Sequence, residues 1–126
     1  MLINFSNHPS ERWSAPQRAA AEADYGEISD IMFPAVDAGA SCCEVFELAK
    51  EYCAMIEELS PNAVLCQGEF SLSFAVTALL LKRGIKVICA CSERDVEEMV
   101  DENGDTVRKT VFRFVRYREY KLPDRA

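Results

Sequence analysis

A Rossmann-like α/β domain with three layers is the fold class this sequence predicts, and three observations predict it. Strand-length apolar runs alternate with helix-length segments over the first three quarters of the chain. Two of those runs, Ala63-Val64-Leu65-Cys66 and Ile85-Lys86-Val87-Ile88-Cys89-Ala90-Cys91, are almost continuously apolar, as central parallel strands covered on both faces are. The turn signal Asp101-Glu102-Asn103-Gly104-Asp105 then separates two strand-like arms, which predicts a C-terminal antiparallel hairpin. At 126 residues the chain has the size of one domain, a single Rossmann-like unit over 1–126.

The first strand is expected over residues 2–5, ending at Ser6-Asn7-His8-Pro9. Pro9 disfavours the helical region at His8, so the strand must hand over to a turn there. A helix follows over 10–24, with Ser14 as an N-cap and Pro16 in the first turn, closed by Tyr25-Gly26. Residues 27–33 alternate polar and apolar side chains and read as a strand with one face less buried. Ser41 and Glu44 form a capping box for the longest helix, expected over 42–59. The strand 63–66 comes next, then a helix to Lys82 that is apolar nearly all round and therefore expected to be largely buried. Arg83-Gly84 stops it. The fourth strand is expected over 85–91, ending at Ser92-Glu93-Arg94, and the hairpin arms over 95–100 and 107–120. In the second arm, period-two alternation puts Phe112 and Phe114 on one face, with Val111, Val115 and Tyr117 on the other.

The totals exclude several classes of function. A net charge of −7 opposes a broad electrostatic grip on long nucleic acid, although seven of the fourteen basic residues lie in the last fifth of the chain. No apolar run reaches the roughly 18 residues that span a bilayer, and the start lacks the pattern of a signal peptide, so no membrane partner and a cytoplasmic location are expected. The six cysteines include no C-x-x-C pair, and His8 is the single histidine. That argues against zinc and for free thiols, with Cys66, Cys89 and Cys91 acting as small buried hydrophobes. No metal and no cofactor are expected.

In a doubly wound sheet, ligands bind beyond the carboxyl ends of the strands, where successive connections diverge. With strands one and three adjacent at the centre, that rule gathers Ser6-Asn7-His8, Gln67-Gly68-Glu69 and Ser92-Glu93-Arg94. His8 offers a ring that donates to a phosphate or moves a proton; the plain alternative is a turn histidine. Gln67 and Gly68 open a helix whose free N–H groups favour an anion, and Glu69 is either a base or a first-turn acid. Ser92 and Arg94 supply a hydroxyl and a guanidinium for phosphate, unless Arg94 pairs with Glu93, Glu97 or Glu98. Trp13 and Gln17 flank the opening loop, placed to stack on or read a base, or, for Trp13, to lid the core edge. The arginines of the last arm are those of a guarded edge strand, or of an edge that pairs with a second copy.

The opening Leu2-Ile3-Asn4-Phe5-Ser6-Asn7-His8-Pro9 with Trp13, the segments Gln67-Gly68-Glu69-Phe70 and Ser92-Glu93-Arg94, and the ending from Phe112 to Tyr120 resemble a short CRISPR-associated family. That family is similar to the small standalone CARF-like and ring-nuclease-type proteins of type III CRISPR systems. The resemblance implies a homodimer whose strand-end edges face one cyclic oligoadenylate, a second messenger of antiviral defence. It also implies slow cleavage in some members, without metal, by attack of a ribose 2′-hydroxyl on the neighbouring phosphate. His8 and Arg94 would then stabilise the phosphorane charge. Two other readings stand beside it. One is a Rossmann-like enzyme acting on a nucleotide or nucleoside, with Glu69 as base or nucleophile. The other is a non-catalytic interaction protein that assembles through its C-terminal strand.

Overall fold

A computed structural model describes residues 1–125. Chain order is β1 (Leu2–Ser6), α1 (Ala15–Tyr25), β2 (Ile28–Met32), α2 (Cys42–Glu58), β3 (Ala63–Gln67), α3 (Phe70–Lys82), β4 (Val87–Val100) and β5 (Thr106–Glu119). Short 3-10 turns occupy Ser10–Arg12 and Pro123–Arg125. The strands form one sheet in the order β2-β1-β3-β4-β5, parallel except for the antiparallel pair β4 and β5. This is the Rossmann-like, three-layer arrangement expected, with β1 and β3 side by side.

Helix placement follows from the direction of the connections. The chain steps one way from β1 to β2, then back across β1 to β3 and onward to β4. Right-handed crossovers then put α1 on one face and α2 and α3 on the other. The core divides accordingly. Ile3, Phe5, Val64 and Cys66 pack with Val45, Ala49, Ile56, Leu72 and Val76 of α2 and α3. Leu2, Ala63, Leu65 and Ile88 meet Ala21 of α1 in a smaller cluster. One face is thus thickly covered and the other thinly.

The helix starts are chemically clean. Ser14 accepts from the Gln17 N–H at 3.3 Å, and Ser41 with Glu44 makes the complete capping box of α2. Trp13 and Ser14 separate the first 3-10 turn from α1, so the helix expected over 10–24 is in two pieces. The reason is Ser14 itself, extended at φ −62° and ψ 155° as the cap requires.

Three expectations need correction. The fourth strand does not end at Ser92-Glu93-Arg94: β4 continues through them to Val100, because β5 pairs with it along the whole length. The register shifts between Cys91 and Ser92, leaving Val115 unpaired. This bulge resets the alternation, so Tyr117 lies on the same face as Phe114, ring centroids 4.9 Å apart, rather than opposite it. Finally, α3 is not enclosed. It buries Leu72, Ala75, Val76 and Leu80, while Phe70 is 93% and Phe74 75% exposed.

All six cysteines are free. Cys66 is buried as expected, but Cys89 and Cys91 are only half-buried, since β4 leaves the covered part of the sheet at that point. No described helix is long and apolar enough to cross a membrane.

Candidate functional site

The thinly covered face leaves a cavity of about 660 Å³ between the start of α1, the ends of β1 and β3, and the β4–β5 ribbon. Leu65 and Ala90 form its floor. Ser6, His8, Gln67 and Ser92, four of the residues singled out by strand-end reasoning, line it together with Trp13 from the opening loop. Gln17 lines it too.

The turn after β1 is built before any ligand arrives. The buried Ser6 hydroxyl donates to Asn4 Oδ1 at 2.7 Å and accepts from the His8 N–H at 3.2 Å. The His8 carbonyl accepts from Asn4 Nδ2 at 2.9 Å and from the Trp13 indole N–H at 3.2 Å. Asp30 on the neighbouring β2 accepts from Asn4 Nδ2 and from the Ser10 N–H. Asn4, 1% exposed, is therefore the hub that joins two strands and the turn. No buried side-chain nitrogen or oxygen among the described residues lacks a partner. His8 makes these bonds with its backbone alone, which leaves its imidazole at the cavity wall.

The turn after β3 is built differently. Gln67 Oε1 accepts from the Ala90 N–H at 2.6 Å, which ties β3 to β4 and aims the amide nitrogen away from that bond. Gly68 is outside the cavity lining. A methyl group there would stand 2.5 Å from the Phe33 ring, so glycine is demanded by that ring rather than by a ligand. Its N–H donates to Ser73 Oγ at 2.9 Å and is not free for an anion. Glu69 caps α3: its carboxylate accepts from the Ser71 hydroxyl at 2.5 Å and the Leu72 N–H at 2.8 Å. Those two bonds, the hydroxyl first, hold the carboxyl below its ordinary range. A carboxylate so engaged is a poor base, and it does not face the cavity.

Asn7 also lies apart, facing a smaller cleft of about 230 Å³ beside Asp30 and Met32. Arg94 shares a face with Ser92, two residues further along β4 and opposite Phe112, but falls beyond the cavity lining. None of the described ion pairs includes it, so the alternative of a pairing with Glu93, Glu97 or Glu98 is not made.

Sequence reasoning missed three wall residues. Arg12 lines the cavity and takes part in no described ion pair. Phe112 and Phe114 enter from the far end of the chain. Arg12 could have been found through its place in the loop before the Ser14 cap, but the two phenylalanines required the β4–β5 register. No aspartate or glutamate lines the cavity, in a chain of net charge −7. The result is a partly apolar, ring-lined space with one guanidinium, one imidazole, hydroxyls and two amides.

Other possible chemistry is limited. The Cys66 thiol is pushed up to about 11 by burial, only partly offset by hydrogen bonds from Thr77 and Ser73, which makes it a weak nucleophile at neutral pH. Among the described residues no three His, Cys, Asp or Glu side chains cluster as metal ligands.

A comparison with curated proteins gives no match. A family model does match, over residues 1–118, and the chain therefore belongs to the Uncharacterized protein MJ1673 family.

Proposed function

We propose that this protein binds an anionic nucleotide-class ligand in the cavity at the ends of β1 and β3. The observation that carries the reading is the lining itself: a guanidinium, an imidazole and three aromatic rings with no acidic side chain, inside an acidic protein. A phosphate is favoured where Arg12 and His8 meet no competing carboxylate, and Arg12 offers a planar fork for it. A base is favoured by aromatic walls, since every base has a π-face to stack. The Gln67 amide nitrogen and the Ser92 hydroxyl give a base or ribose edge its hydrogen-bond partners.

The resemblance to CARF-like proteins makes cyclic oligoadenylate the member of this class to test first, with the cytoplasm as its place of action. Binding is the activity proposed. Slow cleavage would place His8 and Arg12 beside the reacting phosphate, in reach of developing charge. Glu69 is not assigned a role in it, since it caps α3 away from the cavity.

The test is equilibrium binding of labelled cyclic tetra-adenylate, cyclic hexa-adenylate and AMP, with the products examined by chromatography. Saturable retention of at least one is expected, weakened by Arg12→Gln and by added salt. Retention of none of the three would overturn the proposal.

A further inference from the structure

The connection from β1 to α1 borders the cavity, and in dinucleotide-binding sheets that connection holds a pyrophosphate on free backbone N–H groups. Here those groups are already taken. The His8 N–H donates to Ser6 Oγ, that of Ser10 to Asp30 Oδ2 at 3.0 Å, that of Arg12 to the Pro9 carbonyl and that of Trp13 to the Ser10 carbonyl. At the start of α1, Gln17 donates to the Ser14 hydroxyl and Arg18 to the Ser14 carbonyl, while Pro16 has no N–H to give. The connection from β3 to α3 is no freer: Gly68 donates to Ser73 and Leu72 to the Glu69 carboxylate.

Side-chain charge is equally scarce. Among the described residues, Arg12 is the one arginine or lysine that lines the cavity. Arg18 is held by Glu22 and the Ser10 carbonyl. Arg113, Arg116 and Arg118 stand opposite Glu93, Cys91 and Cys89, on the other face of the ribbon from Ser92. Arg108 pairs with Glu98, and Arg94 falls beyond the lining. No carboxylate of the described residues lines the cavity to hold the divalent cation that accompanies a polyphosphate.

We propose that the cavity selects nucleosides bearing a single phosphate group, as monophosphate or phosphodiester, and discriminates against nucleoside di- and triphosphates. This rests on the nucleotide reading above and narrows its ligand class. A phosphodiester brings one negative charge and a monophosphate up to two, which the Arg12 fork and the His8 ring can meet. Each further phosphoryl group adds charge with no free amide, second guanidinium or bridging cation to receive it. In a chain of net charge −7 that addition lowers affinity.

Titration calorimetry of the full chain with AMP, ADP, ATP and the dinucleotide ApA, at one ionic strength and with or without Mg²⁺, tests this. AMP or ApA should bind, and ATP about tenfold more weakly than the better of them, Mg²⁺ making no difference. The AMP and ApA arms separate a monophosphate ligand from an oligonucleotide. Ser92→Arg, which adds a second guanidinium to the wall, should close most of the gap between AMP and ATP. Ser92→Gln, without the charge, should not. ATP binding as tightly as AMP and ApA would overturn the selectivity and leave the nucleotide reading standing, as would a gap unchanged by Ser92→Arg. Binding of none of the four also overturns the selectivity, and the nucleotide reading falls with it only if the cyclic adenylates are not retained either.

Discussion

The turns after β1 and β3 stand side by side at the same edge of the sheet and look equally rich in chemistry, yet they spend it differently. After β1, backbone atoms and the Asn4, Ser6, Asp30 and Trp13 side chains make the bonds that fix the turn without using the His8 ring, so the His8 and Trp13 rings are held at a cavity wall. After β3, the side chains themselves are consumed by structure. Gly68 makes room for Phe33, Glu69 caps α3, and Gln67 spends its oxygen on β4. A strand-end position in a doubly wound sheet therefore identifies where ligands bind without saying which of its polar residues are free to bind them.

Three substitutions and two measurements on the thiols sharpen that contrast. Trp13→Ala should reduce nucleotide affinity roughly 5- to 150-fold, the range for losing one stacking ring, as measured by titration calorimetry. Little loss would show that the β1 turn is as purely structural as its neighbour. Gly68→Ala should instead destabilise the fold by about 1–3 kcal/mol in urea titration, because the added methyl overpacks the buried Phe33 ring. The folded fraction should keep its affinity.

Alkaline unfolding probes the thickly covered face. Burial pushes the thiols of Cys53 and Cys66 up to about 11 from 9.0, so the folded state favours their neutral forms. Their contribution is complete below pH 9 and declines as pH rises from 9 towards 11, on the order of 2 kcal/mol for the more deeply buried Cys66. Thiol labelling at pH 8 should modify Cys42 and Cys43 first, and Cys53 and Cys66 only as the protein unfolds. The smallest effect is expected from Glu69→Gln, which retains a capping oxygen: a slightly lower thermal midpoint and unchanged ligand affinity. A large loss of affinity there would return Glu69 to the site.

Much of the fold was legible because its signals are local. Apolar runs in β1, β3 and the start of β4, the Ser41 and Glu44 capping box, and the Asp101–Asp105 turn each declare themselves within a few residues. The candidate site was half legible. Strand ends and sheet topology brought Ser6, His8, Gln67 and Ser92 together, and Trp13 was marked by its nearness to the opening loop. Phe112 and Phe114 were not, since their place depends on a bulge that resets β5 against β4. Nor did Glu69 and Gly68 disclose their partners, Leu72 and Phe33, because an acid or a glycine at a helix start has the same pattern whether it serves the fold or a ligand.

The amino-acid sequence alone determined the alternation of elements, the two-sided burial of the central strands and the edge at which to look, because periodicity and caps act over one or two turns of chain. Tertiary structure decided which of that edge's residues remain free. It also decided that α1 covers its face thinly enough to leave a cavity, and that β4 and β5 continue past the sheet as an unsupported ribbon. Those outcomes depend on contacts between residues up to 100 positions apart, such as the Tyr117 hydroxyl donating to the Gln17 carbonyl at 3.0 Å. No local pattern carries such a contact, since it exists only once the layers have packed.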